Sequence, residues 1–309
     1  MKKYLKNSTF FKQAELVLRV LPLINRYTNF ALKGGTALNF FYKDLPRLSV
    51  DIDLTYLKVE DRETTLRNIT FILQDLSHDI TKRIIHSKVV PQKLSKTNYI
   101  RTLIIAHNDV TIKIEPNFIL RGSVFAPLNK SVSQRVEEIF EMSVECKNLS
   151  IEDLYGGKIC AALDRQHPRD LFDIKLLFES GGITKKIKDA FIFYLLSCPR
   201  PIVELLNPNV IDIAHIFNNE FQGMTAIEVT LESLLQTRIN LIKTINETFI
   251  EKDRKFILSF KEGNPNWELS EIENIQNYPS IKWKLANIQK MDKQKHERAI
   301  TKLKEHLGM

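Results

Sequence analysis

Leu32-Lys33-Gly34-Gly35-Thr36-Ala37-Leu38, continued by Arg47-Leu48-Ser49-Val50-Asp51-Ile52-Asp53-Leu54, is the stretch from which the architecture can be read. Asn29 to Lys33 reads as a short strand, two glycines end it, and a helix is expected from Thr36. A strand that stops at paired glycines before a helix offers bare backbone N–H groups and a helix N-terminus to an anion. Thr36 can cap that helix or give its hydroxyl to a phosphate. The next strand is expected over Val50 to Leu57. Side chains alternate across a strand, so Asp51 and Asp53 share one face while Val50, Ile52 and Leu54 share the other and fix the strand to the core.

A second strand, within Asp109 to Asn117, repeats the pattern: Val110, Ile112 and Ile114 on one face, Thr111, Lys113 and Glu115 on the other. If the two strands are neighbours, three carboxylates converge, and their repulsion is relieved by a cation between them. Mg²⁺ takes oxygen ligands and is usually held by one or two carboxylates plus substrate phosphates. The plainer readings are a simple strand-to-helix turn, and two aspartates facing solvent beside Arg47 and Lys58.

Working outward, the N-terminal part alternates helices with short β-rich runs. A helix capped at Ser8 comes first, one over Asp61 to Ile80 follows, and further β-rich runs are expected at Arg83 to Val90 and Tyr99 to His107. From Ser150 the spacing is helical almost throughout, opening on the capping-box pattern Ser150-Ile151-Glu152-Asp153. The expectation is an α+β protein: an α/β domain over residues 1–148, with a mixed sheet flanked by helices, and a helical domain over 149–309. Of 309 residues 43% are hydrophobic, enough for a sizeable core. Only 10 are glycine, and six of those form the pairs Gly34-Gly35, Gly156-Gly157 and Gly181-Gly182, the last read as a helix end.

The net charge of +8 favours an anionic partner. It is concentrated: Ile80 to Asn108 holds six basic residues and no acidic one, and Lys282 to Met309 eight basic and three acidic. Three widely spaced cysteines argue against a disulfide framework or a zinc site. With no signal-peptide pattern and no long apolar run, a cytoplasmic location and no membrane contact are expected.

These motifs together resemble the AbiEii/AbiGii nucleotidyltransferase toxins of the DNA polymerase β-like superfamily. The resemblance extends to Lys113-Ile114-Glu115, to Glu152-Asp153-Leu154 with Lys158 and Ala161-Ala162-Leu163-Asp164-Arg165, and to Arg169-Asp170-Leu171-Phe172-Asp173. It continues through Asn264-Pro265-Asn266-Trp267 to Trp283-Lys284-Leu285. It implies that Gly34, Gly35 and Thr36 cradle an NTP, with Ser49, Lys113 and Asp170 supporting nucleotide binding. Asp51, Asp53 and Glu115 would bind Mg²⁺, Lys158 would contact the phosphates, and Asp170 or Asp173 would complete the site. Gly156-Gly157 departs from the family, which more often has good helix formers before the lysine. The implied reaction is transfer of a nucleotide to an RNA acceptor, notably the tRNA 3′ end, causing growth arrest reversed by a cognate antitoxin. Lys82 to Arg101 and Lys282 to Lys304 could neutralise RNA phosphates, with Tyr99 or Trp283 stacking on a base. The alternatives are a small-molecule or protein acceptor, a metal-dependent nuclease, and an inactive binding module.

Overall fold

The computed structural model describes residues 8–309. The chain divides into two units: one up to Leu154 together with Gln222–Glu228, the other Tyr155–Phe221 with Val229–Met309. In the first, Ser8 accepts the Phe11 N–H (3.2 Å) and starts α1, Thr9–Ile24, whose Val17, Leu18 and Leu21 are buried. Strand β1 (Phe30–Lys33) leads into α2 (Gly34–Ala37), which widens into a π-type turn over Leu38–Tyr42. Then come β2 (Ile52–Tyr56), α3 (Arg62–Arg83), β3 (Ser87–Lys93), β4 (Ile100–His107) and β5 (Val110–Arg121). Strand β6 (Leu128–Ser131), α4 (Gln134–Phe140) and β7 (Glu145–Asn148) complete the unit.

The strands form one mixed sheet in the order β3-β4-β5-β2-β1-β7-β6, so the protein is α+β, as expected. Strand β2 runs antiparallel to β1 and parallel to β5, which places the two acid-bearing strands side by side. The apolar faces read from the sequence are the buried ones: Ile52, Leu54, Ile112 and Ile114 are all fully enclosed.

Some boundaries move for local reasons. Helix α3 starts where Asp61 accepts the Thr64 N–H (2.9 Å) and runs past Ile80, its last turn carrying Lys82 and Arg83 against the negative end of the helix dipole. The following strand therefore begins only at Ser87. Strand β5 outruns its expected end and contains Pro116. Its β4 partner reaches only to Ile114, so the missing Pro116 N–H breaks no ladder.

The second unit is helical. It contains most of α5 (Ile151–Arg165), then α6 (Pro168–Glu179), α7 (Lys185–Ser197), α8 (Ile202–Leu206) and α9 (Ala214–Ile216). After the return of Gln222–Glu228 to the first unit, α10 (Leu231–Thr248), α11 (Glu251–Glu262), α12 (Pro279–Gln289) and α13 (Lys293–Leu307) follow. Among the described residues no helix is long and apolar enough to cross a membrane.

Helix α5 runs unbroken through Gly156-Gly157, whose two glycines cost it about 2 kcal/mol of propensity. The reason is its neighbour: a Cβ at Gly156 would lie 2.8 Å from the Ala190 carbonyl carbon and the Phe191 nitrogen of α7. A Cβ at Gly157 would meet only the Tyr194 ring, at an ordinary 3.4 Å. The two positions should therefore respond oppositely to alanine. Gly156→Ala is expected to destabilise by about 1–3 kcal/mol through overpacking against rigid backbone, whereas Gly157→Ala should be neutral or gain up to about 1 kcal/mol. Thermal unfolding of the two variants separates them, and equal shifts would refute the close-approach account.

Candidate active site

Gly34 has a left-handed backbone (φ +73°), and a Cβ on it would fall 2.5 Å from Asp53 Oδ2. The bare glycine thus lets the Asp53 carboxylate sit directly against the turn. At Gly35 a Cβ would lie 2.5 Å from Arg47 Nη2 and 3.1 Å from Ser49 Oγ, so a guanidinium and a hydroxyl close in from the other side.

Thr36 is buried, and the N-cap of α2 is Lys33 without a side-chain cap bond, so Thr36 does not cap the helix. Its hydroxyl lies 2.5 Å from the Asp51 carbonyl and 2.9 Å from Ser49 Oγ. Thr36 is the donor toward both, its single proton shared between the Asp51 carbonyl and Ser49 Oγ. The threonine ties the glycine turn to the start of the acid strand. Asn39 Nδ2 reinforces the turn by donating to the Gly35 carbonyl (2.9 Å).

Asp53 pairs with Lys33 of β1 on one side and with Glu115 of β5 on the other. Residues in register share a face, so Lys33, Asp53 and Glu115 form a row across three strands. Lys113, two residues before Glu115, is exposed on the same face, and Asp51 enters just ahead of the first ladder pair. The donors here are all carboxylate oxygens, the chemistry of a hard divalent cation. Among the described residues no three His, Cys, Asp or Glu side chains are close enough to hold a metal by themselves. Asp53 and Glu115 fit a cation whose shell is completed by water and phosphate oxygens.

The segment Gln222–Glu228 straps the approach to this strand. Met224 O accepts from Leu48 N–H (2.8 Å), Ala226 N–H donates to Pro46 O (3.0 Å), and Thr225 forms an antiparallel bridge with Arg47. Arg47 is 2% exposed, not a surface neighbour of the aspartates, and its Nη1 donates to the Leu48 carbonyl (2.9 Å).

In the helical unit, Lys158 of α5 is enclosed between two carboxylates of α6: Asp170 at 2.9 Å and Asp173 at 3.0 Å. Asp170 and Asp173 are one turn apart on α6, and Arg165, two turns beyond Lys158, reaches Asp170 from the rim (Nε to Oδ2, 2.6 Å). Two cations thus balance two acids. Burial works to raise the Asp170 carboxyl, but the Lys158 and Arg165 charges outweigh it and hold the group well below the usual carboxylate range. Burial and then the Asp173 charge push the Tyr155 phenol above its ordinary value. His167 caps α6, its Nδ1 accepting the Arg169 N–H (3.1 Å), with Pro168 at the first helical position.

The first unit therefore gathers Gly34, Gly35, Thr36, Ser49, Asp51, Asp53, Lys113 and Glu115, and the second gathers Lys158, Asp170 and Asp173. Sequence reading overlooked Lys33, which only register places beside Asp53, and the burial of Arg47 behind the turn. An arginine immediately before the acid strand was the available signal for the latter. All six basic residues from Lys82 to Arg101 are exposed, as are those from Lys282 to Lys304 except Lys284, which is buried and donates to backbone carbonyls. Trp267 packs edge-on against Phe256 and Phe260, while Trp283 is 43% exposed.

Residues 16–287 match the family model of the nucleotidyl transferase AbiEii toxins of type IV toxin–antitoxin systems. The fold is similar to that of MenT4, a nucleotidyltransferase toxin from Mycobacterium tuberculosis H37Rv, with a TM-score of 0.62. The two share 12% identity over 91% of this chain and 93% of that one. No curated protein sequence matches the chain.

Proposed function

Because the chain belongs to the AbiEii nucleotidyltransferase toxin family, we propose that it moves a nucleotide from an NTP to the 3′ end of a tRNA in the cytoplasm, using Mg²⁺. One observation carries this reading: Asp53 stands in register with Glu115 while its carboxylate rests against Gly34 of the glycine turn. Acid pair and anion-binding turn thereby serve one substrate, a metal-bound triphosphate. A nuclease would have no use for the turn.

Asp53 and Glu115 would hold the metal, with Asp51 at the edge of the same site. When bound, the metal neutralises phosphate charge and makes the acceptor hydroxyl more acidic. Gly34 and Gly35 offer backbone N–H groups to the phosphate oxygens, Thr36 and Ser49 keep the turn on the acid strand, and Lys113 adds positive charge on the open face. The acceptor oxygen bonds to the α-phosphorus, the bond to the bridging oxygen breaks, and pyrophosphate leaves. Asp53 or Glu115 receives the hydroxyl proton. Within the helical unit, Asp170 and Asp173 fix where the Lys158 ammonium points. The exposed basic run Lys82 to Arg101 supplies salt-sensitive affinity for the RNA backbone. Growth arrest follows from blocked tRNA, and a cognate antitoxin relieves it.

The test is incubation of the pure protein with Mg²⁺, each labelled NTP in turn, and total tRNA, with Asp51→Ala as control. Label is expected on tRNA with at least one NTP and none with the variant. Label appearing on protein or on a small hydroxyl compound instead would reassign the acceptor. RNA that shortens without added NTP would replace transferase by nuclease.

A further inference from the structure

The seam between α5 and α7 holds a pair of cysteines that nucleotidyl transfer does not use. Along α5, Gly156 abuts Ala190, Gly157 faces Tyr194, Cys160 Sγ donates to the Tyr194 carbonyl (3.8 Å), and Asp164 pairs with Arg200 (2.5 Å). Cys198, which ends α7 four residues beyond Tyr194, lies within this ladder with the Cys160 thiol as its neighbour. Cys160 is buried, whereas Cys198 is partly open to solvent. Lys284 of α12 donates from Nζ to the Cys198 and Arg200 carbonyls, both at 2.6 Å, and puts an ammonium beside the pair.

We propose that Cys160 and Cys198 form an oxidation site that closes to a disulfide on exposure to a peroxide. The roles divide by exposure and surroundings: Cys198 reacts with the oxidant and Cys160 resolves it. The neighbouring Cys160 thiol is the main influence on Cys198. With the Arg200 backbone and Lys284 it outweighs burial and the Asp164 charge, and pulls the thiol down to about 7. Cys146, enclosed in β7 of the other unit, is pushed by burial up to about 12 and serves as an internal reference.

The chemistry balances. The Cys198 thiolate attacks one peroxide oxygen, the O–O bond breaks, and Cys198 becomes a sulfenic acid while the other oxygen leaves as water after taking a proton. The Cys160 sulfur then attacks Cys198 Sγ, the S–O bond breaks, and the Cys160 proton leaves with that oxygen as a second water. The two sulfurs lose two electrons and the peroxide gains them. The bridge would tie α5 to α7 at the point where the glycines already bring the helices together.

The readout is thiol chemistry alone and does not depend on the nucleotidyl-transfer reading. The full-length reduced chain is treated with hydrogen peroxide, the peroxide is removed, and free thiols are alkylated after unfolding. Intact mass is expected to show one remaining thiol, Cys146, with a mass lower by two hydrogens before alkylation. Peptide mapping should link Cys160 to Cys198 within one chain, and dithiothreitol should restore all three thiols. In the native chain Cys198 should alkylate at least roughly tenfold faster than Cys146 at neutral pH. Cys160→Ala should abolish the intrachain link while Cys146 stays a free thiol. Three thiols surviving peroxide, links only between chains, or Cys146 reacting as fast as Cys198 would each overturn the proposal.

Discussion

Asp53→Asn is expected to slow nucleotide transfer by at least about a thousandfold, some 4 kcal/mol of transition-state stabilisation, with thermal stability nearly unchanged. The substitution keeps volume and shape but removes the charge that faces Glu115 across β2 and β5. The loss should fall on kcat, since the charge matters most when the transferring phosphoryl group is being neutralised. Glu115→Gln should act in the same direction. Gly34→Ala should be a weaker version of the same defect with a different cause. Its left-handed backbone would cost about 1–2 kcal/mol for any other residue, and the new Cβ would push on Asp53 Oδ2 from 2.5 Å. Initial rates of label transfer to tRNA at saturating Mg²⁺ provide the measurement. Asp53→Asn within tenfold of the parent rate would remove Asp53 from the metal site.

The other large effect concerns stability. Lys158→Met should destabilise the protein by about 3–5 kcal/mol at neutral pH, because removing one member of a buried ion cluster strands the charge it balanced. Asp173 loses the ammonium 3.0 Å away, and Asp170 keeps only Arg165 at the rim. The pH dependence gives the test its sign. In the parent, the Asp170 carboxyl lies below its unfolded value near 4, so its contribution is fully present above about pH 4 and is lost as pH falls through the folded value. In the variant, burial without the ammonium favours the neutral acid at Asp173. That raises its folded value above the unfolded one, so the variant's deficit is greatest at neutral pH and shrinks on acidification. Urea unfolding of both proteins at pH 7 and pH 5 should show the gap narrowing. A gap that stays constant, or one under about 1 kcal/mol at pH 7, would mean that the cluster is not electrostatically coupled as its geometry indicates.

Much of the first unit was legible because its information is local. Alternation at Val50 to Leu54 and at Val110 to Glu115 decides which side chains face the core: Ile52, Leu54, Val110, Ile112 and Ile114 are buried, while Val50, ahead of β2, is only half-buried. Gly34 announces a turn because few other residues adopt its backbone. The helix stops were less legible. Nothing before Arg83 halts α3, and the basic last turn that favours its extension carries no period of its own.

Long-range pairing was hidden for a different reason. Lys33 beside Asp53 is a matter of register, and the strap Gln222–Glu228 comes from a part of the chain whose spacing is helical on both sides. Gly156 looked like a defect in α5 until Ala190 and Phe191 of α7 supplied the contact that requires it.

The sequence by itself determined the chemistry on offer: a glycine turn, carboxylates on the outward faces of two strands, a lysine and two aspartates at helical spacing, and two concentrated basic runs. These depend on residue type and on periods of two and 3.6, which a chain carries wherever its neighbours lie. Only the tertiary structure decided that Glu115 stands opposite Asp53, that Thr36 spends its hydroxyl on Asp51, that Lys158 is held between two acids, and that Cys198 meets Cys160. Each of these joins residues separated along the chain by a dozen positions or more, where packing and not local preference selects the partner.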